Sequence, residues 1–371
     1  MELTAFRVER FRNLADGTLS WHRASNLVLG DNGEGKTNLL EAITVLGTLR
    51  SFRTDSRRQL VRHGCCGYLV AGEVQSVHGT ATLRHELTLG SPDRRRTWVD
   101  SREVSPAVYL SVFPVFALAG DHHDLVLGAP ENRRSLLDRF AFLLDAHVID
   151  EVRTYRRALR QRNAALSTAA SDHELAAWSG VLAAAAARLV SRRRRAATDL
   201  REAFRHRYDL LRGPRFPDLE LSYRTDSSAA DAASEPELEQ SYRQRYNDQR
   251  ARDRQAGFTL EGPHRHDLSL RADGRPVRHV LSSGQTKVVA AALRLAALAV
   301  VESNRSERLP VIIDDVDAEL DSAVLAHLME GLGERQLFLS SPHGGEIIRG
   351  IGPAATYRVQ AGTVEHDVSR R

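Results

Sequence analysis

The sequence predicts an α/β protein in which a mainly parallel sheet is built from both ends of the chain and a helical lobe is inserted between them. Three observations predict it. An apolar stretch through Leu27 and Leu29 runs into a glycine-rich turn and then into helix-spaced apolar residues over 38–49, giving a strand, a loop and a helix in succession. Near the other end, the apolar run Val311–Ile313 stops at two carboxylates, Asp314 and Asp315. Between these segments, residues 131–211 are rich in Arg and Ala, with Leu136, Leu137, Phe140, Leu143 and Leu144, and later Leu182 and Leu189, at helical spacing. Strands alternating with helices imply a parallel sheet, whose ligands bind at the carboxyl ends of the strands.

Taken in order, the opening residues alternate apolar and polar through Leu3, Phe6, Val8 and Phe11 and read as strand. Short β-like segments follow near 68–74, 81–89 and 97–99. The polar break at 167–172 divides the central helices into a hairpin, and 226–237, rich in Ser, Ala and Asp, reads as a loop before a charged helix over 238–254. The last third reads as a helix over 285–302, the strand 311–313, a helix over 321–332 and a strand over 336–339. The expected division is therefore 1–127 and 255–371 for the two parts of the sheet-bearing head and 128–254 for the inserted lobe.

Composition narrows the class. A chain of 371 residues with 42% hydrophobic content supports one large core with an inserted lobe, or two modest domains. Its 52 basic residues against 48 acidic ones permit a polyanionic partner without demanding one. Cys65 and Cys66 are adjacent and belong to no spaced Cys/His set, so neither a disulfide framework nor a zinc site is expected. No run approaches the roughly 20 apolar residues of a membrane span, and the charged N-terminus lacks a signal-peptide core, so a cytoplasmic protein without a membrane partner is expected. Only two of the basic residues are lysines, Lys36 and Lys287, and both stand in glycine-containing motifs. A lysine that survives such an arginine bias marks a place where arginine does not serve.

Gly30-Asp31-Asn32-Gly33-Glu34-Gly35-Lys36-Thr37 matches the phosphate-loop pattern GxxxxGK[ST] between a strand and a helix, with Asn38 continuing into that helix. Glycines let backbone N–H groups turn toward phosphate oxygens, and the helix adds its positive N-terminus. Lys36 offers a compact ammonium for the β- and γ-phosphates, and the Thr37 hydroxyl suits Mg²⁺. ATP and Mg²⁺ are the expected cofactors. Of the two acids ending the apolar run, Asp314 is expected to hold Mg²⁺ and Asp315 to act as general base on the attacking water. Read alone, the acids could instead cap the next helix.

Leu281-Ser282-Ser283-Gly284-Gln285 opens a helix, and Ala318-Glu319-Leu320-Asp321 follows the acidic strand. This order and spacing select an ABC-type P-loop ATPase head, split in sequence by the helical lobe. In such heads the signature formed here by Ser282, Ser283, Gly284 and Gln285 contacts the γ-phosphate of ATP held by the other subunit, which implies a head-to-head homodimer closed by ATP. A helix N-terminus with Ser hydroxyls and a Gly amide supplies donors without bulk.

Further strings carry a family resemblance over most of the chain. Phe11-Arg12-Asn13-Leu14, the run Gly35 through Ile43, and Ser51-Phe52-Arg53-Thr54 look like the opening of the RecF family, relatives of the Rad50 and SMC heads. Gly128-Ala129-Pro130 with Arg133-Arg134, Leu137-Asp138, and Tyr155 with Gln161-Arg162-Asn163 look like its helical lobe. Gly262-Pro263-His264-Arg265 with Asp267-Leu268, then Asp314-Asp315-Val316, resemble its return to the head. The resemblance implies an ATP-dependent dimer that binds junctions of duplex and single-stranded DNA and, with RecR and RecO partners, helps load RecA recombinase. The chain departs from the family pattern at Ser283, where arginine is usual, with Lys287 on the same helix start. It departs again at Gly120-Asp121, at His266, and at Ser340-Ser341-Pro342-His343, where His343 resembles a transporter switch histidine.

Three arginine clusters, 94–96, 156–160 and 192–195, are candidates for DNA phosphates, while nothing resembles a base-reading motif, so sequence-independent binding is expected. Each cluster could equally be a solvated face. Rival readings are a transporter ATPase, an SMC-like tether, for which the chain lacks the long heptad arm, and an ATPase driving a separate nuclease.

Overall fold

The computed structural model describes residues 1–118, 122–168, 170–225, 234–316, 322–342 and 355–367. The chain forms two compact units, Met1–His122 with Tyr208–Gly213 and Ser283–Arg371, and His123–Arg207 with Pro214–Ser282.

The first unit opens with β1 (Glu2–Glu9), β2 (Gly17–Ser20) and β3 (Ser25–Leu29), followed by α1 (Lys36–Thr48). Next come β4 (Gly67–Ser76), β5 (Gly79–Thr88), β6 (Arg94–Val99), β7 (Arg102–Glu103), α2 (Pro106–Val112) and β8 (Phe116–Ala117). An antiparallel sheet in the order β2-β1-β4-β5-β6-β7 stands on one side of α1. Residues 39–47 of α1 are all buried, so the helix shows little amphipathic contrast, as expected for one covered all round. Leu39, Leu40, Ile43 and Leu46 pack with Phe6, Val70, Phe338 and Tyr357, and each such side chain contributes about 1.5–3 kcal/mol by leaving water.

His85, on the inward face of β5, is 1% exposed between Tyr68 and Tyr109. Its Nδ1 lies 3.1 Å from the Arg96 carbonyl, to which it donates, leaving Nε2 to accept from the Tyr68 hydroxyl at 3.1 Å. Burial pulls its pKa from 6.5 down to about 4. The unfolded chain protonates this ring near pH 6.5 while the fold keeps it neutral to about pH 4. Its contribution is therefore full above the first value and is lost as pH falls toward the second, on the order of 3 kcal/mol in all. Melting temperature should drop across this window in the wild type and more gently in His85→Gln; identical acid slopes would show that other groups govern it.

The second unit holds α3 (His122–Val126), α4 (Pro130–Leu144), α5 (Val148–Ser167), α6 (Asp172–Leu211), β9 (Leu219–Arg224), α7 (Glu235–Asp248), α8 (Arg250–Ala256), β10 (Asp267–Ala272) and β11 (Arg275–Pro276), apart from His122 and the end of α6 from Tyr208, which cluster with the first. The break between α5 and α6 falls where the polar stretch at 167–172 lies. The charged helix expected over 238–254 starts earlier, at Glu235, because Ser234 and Glu237 form a reciprocal capping box that spans Pro236, and it breaks at Gln249 into α7 and α8. Tyr155, Leu182, Leu189, Tyr242 and Tyr246 share its core. Residues 255–282, expected with the head, cluster with this unit because β10 pairs with β9 over six residues, from Asp267↔Arg224 to Ala272↔Leu219.

After this unit the chain continues through α9 (Ser283–Arg305), β12 (Val311–Ile313), α10 (Ser322–Leu332), β13 (Leu337–Ser341), β14 (Ala355–Gln360) and β15 (Thr363–His366). Against the expectation that no run approaches a membrane span, α9 would suffice to cross one by length and composition, yet 67% of its most apolar window is buried inside the protein, as in a core helix. The second sheet of the first unit has the order β15-β14-β3-β13-β12-β8, with every pairing parallel except β14–β15. This order puts β13 between β3 and β12, so the ends of three parallel strands deliver the phosphate loop, Ser340 and the paired acids side by side.

Candidate nucleotide-binding site

The loop from Gly30 to Gly35 leaves a fully buried strand and enters α1 through Gly35, whose φ of +119° is a conformation that side-chain-bearing residues avoid. No side chain caps α1 and no acid sits in its first turn, so its positive end faces the loop without competition from a carboxylate. Asp31, Asn32 and Gly33 are exposed, whereas Lys36 is buried, its Nζ donating to the carbonyls of Gly30 at 2.6 Å and Asp31 at 2.9 Å.

Thr37 Oγ1 donates to Asp314 Oδ1 at 3.1 Å, which joins the loop to the acidic strand across the intervening β13. Ser340, on β13, supplies the bridge: its hydroxyl donates to Asp314 Oδ1 at 2.6 Å and accepts from the Asp315 N–H at 2.8 Å. Burial pushes the Asp314 carboxyl above the usual range and the Asp315 charge adds to this, while the two hydroxyl donors and the Arg53 guanidinium pull it back. Asp315 itself has φ +49°, the left-handed region, which turns its peptide away from the strand direction.

A second set of contacts braces the loop from behind. Arg12 makes two 2.9 Å bonds to Glu41, a carboxylate wholly buried on α1 that also accepts from Ser51 Oγ and lies 3.9 Å from Arg53. Arg53 reaches Asn38 Oδ1 at 2.8 Å, and Asn38 in turn donates to Asn13 Oδ1 at 2.7 Å. The turn between β14 and β15 closes the brace: the Gly362 N–H donates to the Glu34 carbonyl at 2.9 Å and the Ala361 N–H to the Glu34 carboxylate. Gly362 has φ +79°, and a Cβ there would come within 2.0 Å of the Asn13 carbonyl. Of this brace, Phe11-Arg12-Asn13-Leu14 and Ser51-Phe52-Arg53-Thr54 stood out only as strings. The signal that points to their purpose is Glu41, an acid set in sequence between Leu39-Leu40 and Ala42-Ile43.

The signature residues Ser282, Ser283 and Gly284 are exposed, at the N-terminus of α9, with Gln285 and Lys287 half-buried behind them. Gly120-Asp121, Glu319-Leu320-Asp321 and His343 lie outside the described residues.

The description "RecF/RecN/SMC N terminal domain" fits residues 2–342, a span that takes in the phosphate loop, the signature and the paired acids. Over its full length the chain is 35% identical to the DNA replication and repair protein RecF of Anaeromyxobacter sp. (strain Fw109-5), all of which is covered. The chain belongs to the RecF family. The RecF of Geobacter sulfurreducens is 31% identical over 98% of this chain and 99% of its own. Among solved structures, the recombination mediator protein RecF-ATP in the RecFOR pathway superposes with a TM-score of 0.90 at 23% identity, covering 99% of this chain and 98% of that one. An Smc head bound to the C-winged helix domain of ScpA reaches 0.54 at 13% identity, covering 99% and 97%. The fold is thus that of the ABC-type heads of RecF and SMC proteins, and the site described above occupies its phosphate-loop side.

Proposed function

We propose that the chain is an ATPase of recombinational repair and replication-fork maintenance that dimerises on ATP, binds gapped or junction DNA in the cytoplasm, and with RecR- and RecO-type partners helps load RecA recombinase. The observation that carries this reading is the joined set Lys36, Thr37, Asp314, Ser340 and Asp315 at the ends of three adjacent parallel strands. The names of the RecF relatives supply the biological setting.

Backbone N–H groups from Gly30 to Asn38 cradle the phosphates, and Lys36 exchanges the carbonyls of Gly30 and Asp31 for phosphate oxygens. Thr37 and Asp314 fit a divalent cation: they are hard oxygen donors already in contact at the end of the acidic strand. Mg²⁺ held there offsets charge building on the transferred phosphate. Asp315 orients the attacking water and accepts its proton. Turnover is slow and DNA-dependent in this reading, because aspartate is a shorter base than the glutamate usual in ABC heads and must be brought close.

Gly284 supports closure by a second copy. A Cβ at this position would meet nothing within 4 Å, and its backbone angle is not one reserved for glycine. Glycine therefore weakens the first turn of α9 with no steric reason among the described residues. Close approach of a nucleotide held by the partner supplies the reason, with Ser282, Ser283 and Gln285 adding donors.

Light scattering tests the reading. Wild-type protein is expected to double its mass with ATP–Mg²⁺ and to bind a gapped duplex more tightly as a dimer, while Lys36→Arg does neither. Mass and DNA affinity that ignore ATP in the wild type would remove the proposal.

A further inference from the structure

We propose that the exposed face of α5 is the surface of the second unit on which the DNA sugar–phosphate backbone lies, held by Arg153, Arg156, Arg157 and Arg160. The inference rests on the DNA-binding reading above and names where the partner docks.

The three arginine clusters differ in what they have to offer. In 192–195, Arg193 is 4% exposed and locked to Asp138 by bonds of 2.7 and 3.0 Å and to the Pro263 carbonyl at 2.7 Å. Arg192 lies 2.7 Å from Asp145 and 3.4 Å from Glu151. Half of that cluster is internal structure. In 94–96, Arg96 stands directly opposite Glu86 in the β5–β6 register. The α5 set is different: Arg156, Arg157 and Arg160 are exposed and, among the described residues, meet no carboxylate. Arg153 has only the surface neighbour Asp150, at 3.2 Å with both side chains at least half exposed, a pair too weakly held to withhold it from a phosphate.

Helix geometry gathers these four into a stripe. Tyr155, Ala158, Arg162 and Leu166 fix the buried side of α5. At about 100° per residue, 153, 157 and 160 fall within roughly 60° of one another directly opposite that side, and 156 falls on their flank. From 153 to 160 the stripe runs about 10 Å. Duplex DNA presents a phosphate charge for every ~1.7 Å of axis, so such a stripe meets several phosphates whichever way it crosses them. On α7, by contrast, the exposed Arg243 faces Glu239 one turn away at 2.7 Å. A face carrying four arginines against the single acid Asp150, in a chain with nearly balanced charge, fits a polyanion and offers nothing that would read bases.

The test is fluorescence anisotropy of a labelled junction duplex with full-length protein and ATP–Mg²⁺, titrated from about 50 to about 200 mM salt. In Arg156→Ala/Arg157→Ala/Arg160→Ala the slope of log affinity against log salt should fall by up to about 0.9 per arginine removed, with affinity at low salt down at least tenfold. Arg156→Lys/Arg157→Lys/Arg160→Lys should keep most of the slope, and the melting temperature of the alanine variant should be unchanged because alanine favours helix and these side chains are exposed. Arg94→Ala/Arg96→Ala should leave the slope near wild type. A wild-type protein that binds no DNA at low salt would overturn the functional reading itself. Wild-type binding with an unchanged slope in the alanine variant, or an equal loss in the β6 variant, would overturn the α5 surface alone.

Discussion

Asp315→Asn is expected to abolish ATP hydrolysis while leaving ATP binding and ATP-driven dimerisation intact. The substitution is unusually clean at this position. With φ at +49°, most residues placed here would add backbone strain to whatever chemistry they removed, but asparagine enters the left-handed region nearly as readily as aspartate. The backbone N–H that donates to Ser340 Oγ at 2.8 Å is retained, so Asp314 keeps its hydroxyl partner and the cation position keeps its shape. Only the ability to take a proton is lost. Removal of a general base costs about 10²–10⁴ in rate, which for a slow enzyme falls below detection. Phosphate release and light scattering on the same preparation distinguish the outcomes. A variant that hydrolyses at the wild-type rate would place the base elsewhere, whereas one that neither hydrolyses nor dimerises would mean that Asp315 acts in binding.

The contrast between Asp314 and Ser340 shows what sequence reasoning reaches. The apolar strand and its two acids are legible because the chemistry demands carboxylates at a strand end, and the phosphate loop is legible because glycines, lysine and threonine each have a separate physical task. Ser340 is invisible in that sense. Its importance comes from β13 lying between β3 and β12, and strand order is a long-range property that no local spacing encodes. The same holds for the hairpin turn at Ala361 and Gly362, which grips Glu34 from more than 300 residues away. Residues 255–282 assort with the lobe for a related reason: β-pairing between β9 and β10 outweighs nearness to the signature helix in the chain. Where a signal is local, as in the Ser234–Glu237 capping box, its effect is local too, moving a helix boundary by only a few residues.

Arg162→Met is expected to lower the stability of the protein by about 3–5 kcal/mol, the cost of leaving a buried charge without its partner. Arg162 is wholly buried on α5, where it donates to Asp253 Oδ2 and Thr259 Oγ1, both at 2.7 Å, to Ser179 Oγ at 3.0 Å and to the Tyr246 carbonyl at 3.2 Å. Asp253, 1% exposed, would keep, among the described residues, the Leu260 N–H at 3.0 Å as its one donor. Two further pairs of the same kind, Arg133 with Asp267 and Arg193 with Asp138, tie α4 to β10 and α4 to α6. Of the helices they join, α6 is rich in alanine, from Ala183 to Ala187 above all, and alanine surfaces pack closely in more than one register. Buried arginine–carboxylate pairs answer that ambiguity, since each is satisfied in one arrangement only. Urea denaturation of Arg162→Met, Asp253→Leu and the double variant separates the two contributions. If the pair chiefly specifies register, the double variant regains much of the lost stability, as an apolar replacement can, but unfolds with lower cooperativity. If the double variant loses the sum of the single losses, the two side chains act through their other contacts and the pairing itself contributes nothing.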